Sequence, residues 1–391
     1  MKKQRPIVLA TGGTGGHVFP AEALASELLG RGRNLVLVTD TRGQSFSGAL
    51  GRLDVYSVRA GTPSQGGMLA RVRGLIAAAS GTIQARRMLD WLQPAAVVGF
   101  GGYASLPTML AATSRRVPTI LHEQNAVLGR ANRLVAPRAT SIALTFPATA
   151  KLRTQDHAKT EIVGNPVRVE IRALRATDYV PAAPDGIFNI LVLGGSQGAS
   201  IFATLIPEAL AGMPAEVRAR FRVVQQCRPE DLAATHTRYQ AAGVLAELAT
   251  FFTDVPRRMA AAHLMIARSG ASTISEIAVA GRPAILVPFP HAADDHQAAN
   301  ARALSDAGAG WTFIQRDTSA ETLRAQIARL MAAPDELSAV ARQARTLGRP
   351  DAARSLANLV EEVLARTAPV QLVHSDATDG GRRNNGGGAA A

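Results

Sequence analysis

Apolar and polar positions along this chain alternate between short unbroken apolar runs and longer segments whose apolar residues recur at helical spacing. Residues 7–10, IVLA, read as a buried parallel strand, and residues 18–29 carry leucines one helical turn apart. Gly12, Gly13, Gly15 and Gly16 separate the two, followed at once by His17. A glycine-rich turn from strand to helix leaves free N–H groups at the positive end of the helix dipole, which suits a diphosphate. The same order returns at 189–206 as NILVLGGSQGASIFATLI. Both halves of the chain thus open with one device.

Further strands are expected at 35–39, 55–58, 95–100, 117–121, 141–145 and 161–163, then at 188–193, 221–225, 246–250, 264–267 and 284–287. Helical patterns separate them, so the expected fold class is α/β with parallel, doubly wound sheets. The strand at 95–100 runs into Gly101, Gly102 and Tyr103 and then a helix, another strand, glycine turn and helix unit. The stretch HEQN, 122–125, leaves the carboxyl end of its strand, where open α/β sheets bind ligands. Residues 68–92 read as a helical region broken near Ser80-Gly81. It sets Leu69, Val72, Leu75 and Ile76 beside Arg71, Arg73, Arg86 and Arg87, which fits either a core-facing helix with a basic outer face or a membrane-surface patch. Prolines at 166, 181 and 184 mark a seam, and a last helix should start at Pro350-Asp351 and end near residue 364. The expected units are 1–165, 166–348, a returning helix at 349–366, and a tail at 367–391 without periodicity that should be disordered.

Composition narrows the classes. The 391 residues suffice for two domains with full cores. No apolar run reaches the length of a membrane span, and MKKQRP leads into a strand, so a cytoplasmic protein is expected. Cys227 is the single cysteine, which excludes disulfides within the chain and cysteine-rich metal sites. The net charge of +13 is nearly all arginine, since lysine stands only at 2, 3, 151 and 159. Few aromatic residues interleave with it, which argues against nucleic acid as a partner.

Three polar stretches could carry chemistry. RSGASTISE, 268–276, places small residues at a helix start and Glu276 one turn in, where a carboxylate can bond vicinal ribose hydroxyls or serve the helix dipole. VPFPHAADDHQAANA brings His291, Asp294, Asp295, His296, Gln297 and Asn300 close together. Gln297 and Asn300 share a helix face and suit sugar hydroxyls, while His291, Asp294 and His296 could form a metal site. Gly194, Ser196 and Gly198 satisfy G-x-S-x-G, with Asp254 and His291 following in hydrolase order. The loop is the second copy of a duplicated turn, however, so Ser196 reads better as a phosphate ligand.

GGTGGH at 12–17, GGYAS at 101–105, HEQN at 122–125, GNPVR at 164–168, GGSQGA at 194–199 and RSGASTISE at 268–276 together resemble the MurG family over about residues 5–365. These are cytoplasmic enzymes of peptidoglycan synthesis that move N-acetylglucosamine from UDP-N-acetylglucosamine to lipid I, giving lipid II. The resemblance implies the GT-B fold, two Rossmann-like domains facing across a cleft, with the acceptor on the first and the donor on the second. It implies Thr14, Gly15, Gly16, Asn125, Arg168, Ser196, Gln197, Phe252, Ala271, Ser272, Thr273, Glu276, Gln297 and Asn300 as substrate-binding positions. Among these Glu276 would hold the ribose, Arg168 would meet charge on the leaving UDP, and Gln297 with Asn300 would read the sugar.

Gly13, Gly102, Tyr103, His122 and Glu123 would belong to the acceptor loops. His17 is the expected base for the muramyl 4-hydroxyl, in an inverting displacement that calls for no metal or cofactor. A peripheral seat on the anionic cytoplasmic face of the inner membrane, and cell-wall synthesis and division proteins as partners, are implied as well. Leu106, Phe252 and Pro290 depart from the commonest family residues. The alternatives are a UDP-sugar enzyme with another acceptor, a UDP-sugar epimerase, or a serine hydrolase using Ser196.

Overall fold

The structure is a computed structural model and describes residues 4–13, 15–40, 46, 48–61, 68–195 and 198–367. Thr14, Ser196, Gln197 and the tail from 368 onward lie outside the described residues, as do the side chains of Leu69 and Arg71.

Among the described residues, seven strands form the first sheet: β1 (Ile7–Ala10), β2 (Leu35–Asp40), β3 (Asp54–Val58), β4 (Ala96–Gly99), β5 (Thr119–Glu123), β6 (Ser141–Leu144) and β7 (Thr160–Ile162). Their order is β3-β2-β1-β4-β5-β6-β7, and every pairing is parallel. Six strands form the second: β8 (Phe188–Leu193), β9 (Phe221–Gln226), β10 (Leu245–Ala249), β11 (Leu264–Ala267), β12 (Ala284–Leu286) and β13 (Trp311–Thr312). Their order is β10-β9-β8-β11-β12-β13, again all parallel. Strands β1, β4 and β11 are buried along their whole length, as unbroken apolar runs covered by helices on both faces must be. In each sheet the strand order reverses once, between β1 and β4 and between β8 and β11. Parallel α/β sheets open a crevice at that point.

The last helix among the described residues, Ala352–Thr367, packs on the first sheet. Leu356, Leu359, Val360 and Val363 share one core with Ile7 and Leu9 of β1 and with Leu24 and Leu28 of helix α1 (Gly15–Gly30). Burying each large side chain contributes about 1.5–3 kcal/mol. Arg31 reinforces the seat, reaching Glu361 at 2.8 Å and Asn358 at 2.8 Å.

Helix α2 (Met68–Leu92) runs without the break expected near Ser80-Gly81. Ser80 and Thr82 return their hydroxyls to the carbonyls of Ala77 and Ala78, at 3.0 and 2.8 Å, so neither interrupts the helix. Gly81 serves close approach: a Cβ there would stand 1.8 Å from the Arg59 carbonyl oxygen. The face turned inward is therefore built on Gly74, Gly81, Ala85 and Leu89, and Leu75 and Ile76 stand 59% and 63% exposed beside exposed Arg73, Arg86 and Arg87. Among the described residues no helix is long and apolar enough to cross a membrane.

Candidate active site

Glycine makes both switch points possible. A Cβ on Gly12 would lie 2.7 Å from Thr39 Oγ1 and 2.9 Å from Ala104 Cβ, so the turn after β1 passes flush against β2 and against helix α3 (Gly102–Ser114). Gly102 has φ +72°, a left-handed conformation that favours glycine, and a Cβ there would meet the His17 ring at 3.2 Å. In the second sheet Gly195 and Gly198 take φ +79° and +68° in the turn after β8. After β11, the helix Ala271–Ala280 starts at Gly270 with no side-chain cap, and Ser272 Oγ is buried without a hydrogen-bond partner among the described residues. Uncapped N–H groups beside an unpartnered hydroxyl form a place for an anion. Thr273 is half-buried there and Ala271 buried.

His17 sits half-buried in the first turn of α1, whose start is held by Thr11 Oγ1 donating to the His17 carbonyl at 2.9 Å. Its Nδ1 lies 3.2 Å from Gln124 Oε1. Burial pulls the imidazole below its ordinary value, opposed by Glu123 and by hydrogen bonds to Gln124 and the Phe100 carbonyl, with His296 adding to the lowering. Beneath it, Gln124 Nε2 reaches the Phe100 carbonyl and His122 Nδ1, both at 2.9 Å, and His122 Nε2 reaches the Gly164 carbonyl at 3.0 Å. Burial brings His122 down to about 4.

His122 and Glu123, expected at the acceptor loop, are instead part of β5 and fully buried. Glu123 accepts from the Asn125 amide N–H at 3.0 Å, Asn125 Nδ2 at 3.1 Å, Gly129 N–H at 2.8 Å and Asn132 Nδ2 at 2.7 Å. All four bonds shape the loop after β5. Tyr103, by contrast, is half-buried at the first turn of α3.

Asn300, expected to read a sugar beside Gln297, is fully buried and spans the two halves. Its Oδ1 accepts from the Ala126 N–H at 2.8 Å, while Nδ2 donates to Asn125 Oδ1 at 3.1 Å and to the Ser269 carbonyl at 3.0 Å. Nearby, Asp294 receives Arg133 at 2.6 Å, Lys151 at 3.0 Å and Arg130 at 3.3 Å. These cations, Lys151 first, hold its carboxyl down at about 2. That engagement takes Asp294 away from any metal set with His291 and His296; His296 Nδ1 turns to the Ala293 carbonyl at 2.8 Å, and His291 stands edge-on to Phe289.

Arg168 forms a two-pronged pair with Glu276, Nε to Oε1 at 2.8 Å and Nη2 to Oε2 at 3.0 Å. Its guanidinium carbon also lies 5.7 Å from the ring of Phe19 on α1. Burial pushes Glu276 up and Arg168 opposes it. The donor arginine expected at the leaving group is thus already committed to the expected ribose ligand. Gln297 accepts the Phe289 N–H at 3.0 Å through its side-chain oxygen. Phe252 is buried under the Arg258 guanidinium, 4.2 Å from the ring centroid. Arg258 also bonds Asp254 at 2.6 Å, so the aspartate of the hydrolase order is occupied away from His291.

Sequence reasoning singled out neither Gln124 by itself nor Arg268. The latter is buried beyond β11, donates to the Val287 and Pro288 carbonyls at 3.0 Å and to Gln315 at 2.7 Å, and burial lowers it to about 10. It holds the loop carrying Phe289 and His291 in place. Its position next to the helix-start serine was the available signal.

Two parallel, doubly wound sheets, each with a glycine turn at its switch point and held together through Asn300, Asp294 and Arg168, define the GT-B class of glycosyltransferase. Residues 7–144 match the glycosyltransferase family 28 N-terminal domain and residues 189–356 the family's C-terminal domain, so the chain belongs to glycosyltransferase family 28. It is 51% identical over 355 residues to the UDP-N-acetylglucosamine–N-acetylmuramyl-(pentapeptide) pyrophosphoryl-undecaprenol N-acetylglucosamine transferase of Rhodospirillum centenum, covering 91% of this chain and 93% of that one. The enzyme of the same name from Rhodospirillum rubrum is 51% identical over 363 residues, covering 93% of each chain. The crystal structure of MurG from Acinetobacter baumannii superposes with a TM-score of 0.74 at 28% identity, covering 92% of this chain and 99% of that one.

Proposed function

We propose that this protein transfers N-acetylglucosamine from UDP-N-acetylglucosamine to the 4-hydroxyl of the muramyl sugar in undecaprenyl-diphosphate-linked muramyl pentapeptide, the last sugar addition in making lipid II. The observation that carries the reading is the position of His17. It stands at the first glycine turn with its Nε2 edge against Gly102, below its ordinary pKa and so neutral at pH 7.

In the reaction His17 takes the proton of the acceptor hydroxyl, the freed oxygen bonds to the anomeric carbon, and the bond from that carbon to the diphosphate oxygen breaks on the opposite face. UDP leaves with the electron pair, and the configuration inverts. Charge building on the diphosphate is met by the open N–H groups and Ser272 hydroxyl at the start of helix Ala271–Ala280. Thr14, Ser196 and Gln197 in the two glycine turns are further phosphate ligands of this reading. Glu276, oriented by the two bonds from Arg168, accepts the ribose hydroxyls, and the Gln297 amide faces the sugar.

The first sheet and its loops take the acceptor, the second the donor. Leu75 and Ile76 of α2, flanked by Arg73, form the patch that rests on an anionic membrane surface from the cytoplasmic side. The direct test supplies purified protein with radiolabelled UDP-N-acetylglucosamine and lipid I in vesicles, with and without EDTA. Label entering the lipid phase as the disaccharide supports the reading, and label retained only in water-soluble sugar overturns it.

A further inference from the structure

A general base needs its lone pair on the ring nitrogen that faces substrate, and a neutral histidine can carry its proton on either one. What decides between them at His17 is an amide. We propose that Gln124, backed by His122, is a positioning residue that fixes the proton of His17 on Nδ1 and so leaves Nε2 as the base. This rests on the reading of His17 as the base.

The geometry leaves the amide one orientation. Gln124 is 1% exposed, and its Nε2 spends its two hydrogens on the Phe100 carbonyl and His122 Nδ1, both at 2.9 Å, with the His122 carbonyl farther off at 3.3 Å. Turning the amide over would set its oxygen against the Phe100 and His122 carbonyl oxygens in a buried place, and His122 Nδ1 could not relieve it, since the His122 proton is held on Nε2 by the Gly164 carbonyl. With the amide N–H groups committed there, only its oxygen is left for His17, and an oxygen accepts. The proton between them, over 3.2 Å, therefore belongs to His17 Nδ1.

The other end of the chain agrees. His122 Nδ1 stands 2.9 Å from the same amide nitrogen and must accept, so its own proton is on Nε2, where the Gly164 carbonyl receives it at 3.0 Å. Direction thus runs without conflict from the carbonyl of Gly164, in the segment joining the two sheets, to the nitrogen that takes the substrate proton. The charged and titratable groups around His17 are Glu123 and His122 on β5 and His296 at the start of helix His296–Ser305. Glu123 is turned to its own loop by four bonds, so among the described residues no carboxylate holds the ring in the manner of a histidine–aspartate pair.

The test reads the tautomer directly. The eight histidines are labelled with nitrogen-15, two-bond proton–nitrogen correlations are recorded above pH 7, and His17 is assigned from the spectrum of His17→Gln. The expected pattern is Nδ1–H for His17 and Nε2–H for His122. Gln124→Leu is expected to release His17 to a mixture of tautomers and to lower kcat about 10- to 100-fold, with KM for UDP-N-acetylglucosamine within twofold. Gln124→Glu, nearly the same shape, keeps the fold accessible if the leucine variant fails, and its carboxylate is expected to raise the acid limb of the kcat–pH profile. His17 found as Nε2–H in the unaltered protein overturns the proposal, as does an unchanged kcat and pH limb in both variants. Failure of the base reading shows separately, as full turnover by His17→Ala, whatever the tautomer.

Discussion

Arg168 grips the carboxylate of Glu276 with two hydrogen bonds, at 2.8 and 3.0 Å, while its guanidinium lies 5.7 Å from the ring of Phe19 in the other half of the molecule. One side chain therefore orients Glu276, the carboxylate proposed for the donor, and lies over helix α1 of the other half. Arg168→Ala leaves Glu276 mostly buried without its cation, at a cost to donor binding of about 1–3 kcal/mol. KM for UDP-N-acetylglucosamine should rise about tenfold or more. Arg168→Lys should not restore it, because a point charge cannot hold both oxygens. Recovery of donor KM in the lysine variant would mean that charge alone suffices.

Turnover should follow the state of His17. Because burial lowers its pKa, the neutral base persists below pH 6.5, and the acid limb of the kcat–pH profile should fall below that value. His17→Ala should lower kcat by about 10²–10⁴ and remove the limb. A limb that stays in place in this variant assigns the titration to another group.

Stability should carry a second histidine signal. His122 titrates at about 4 when folded and near 6.5 when unfolded, so the unfolded chain binds a proton that the native state refuses between those values. Its contribution is present above pH 6.5 and is lost as pH falls toward 4, by up to about 3 kcal/mol. Denaturant unfolding of His122→Gln against the unaltered protein, across that window, should show a shallower slope in the variant.

The halves are joined by Asn300 and by the cations around Asp294. Asn300→Ala strands the Ala126 N–H and should cost about 1–3 kcal/mol, read as a lower Tm. A Tm equal to the unaltered protein, with only sugar affinity lost, would return Asn300 to the sugar site. Asp294 takes φ +55°, which asparagine tolerates, so Asp294→Asn removes charge alone. With its carboxyl at about 2, that charge contributes above its unfolded pKa near 3.8 and is lost as pH falls through 2.

The α2 patch is tested by Leu75→Ser with Ile76→Ser. Cosedimentation with vesicles containing anionic lipid should drop several-fold, and soluble UDP-sugar binding should stay the same. Unchanged cosedimentation removes α2 from the membrane surface.

Much of the fold was legible because its central strands are apolar runs, and β1, β4, β8 and β11 fall where those runs stand. Strand β13, Trp311–Thr312, is two residues long and leaves no periodic signal. The polar residues were harder. His122 and Glu123 read as loop because pattern cannot tell a buried polar residue with partners from an exposed one, and their partners, Gly164, Gly129 and Asn132, are distant or unremarkable in sequence. Asn300 hides for the same reason, its partners lying across the seam. Gly81 reads as a helix break because sequence shows what a glycine lacks, not the Arg59 carbonyl that fills the space.

The most direct measurement is steady-state UDP release from UDP-N-acetylglucosamine, with and without a lipid I analogue, for the unaltered protein and for His17→Ala. Release should require the acceptor and fall at least about a hundredfold in the variant. Equal release without acceptor, or undiminished acceptor-dependent release in His17→Ala, would contradict it.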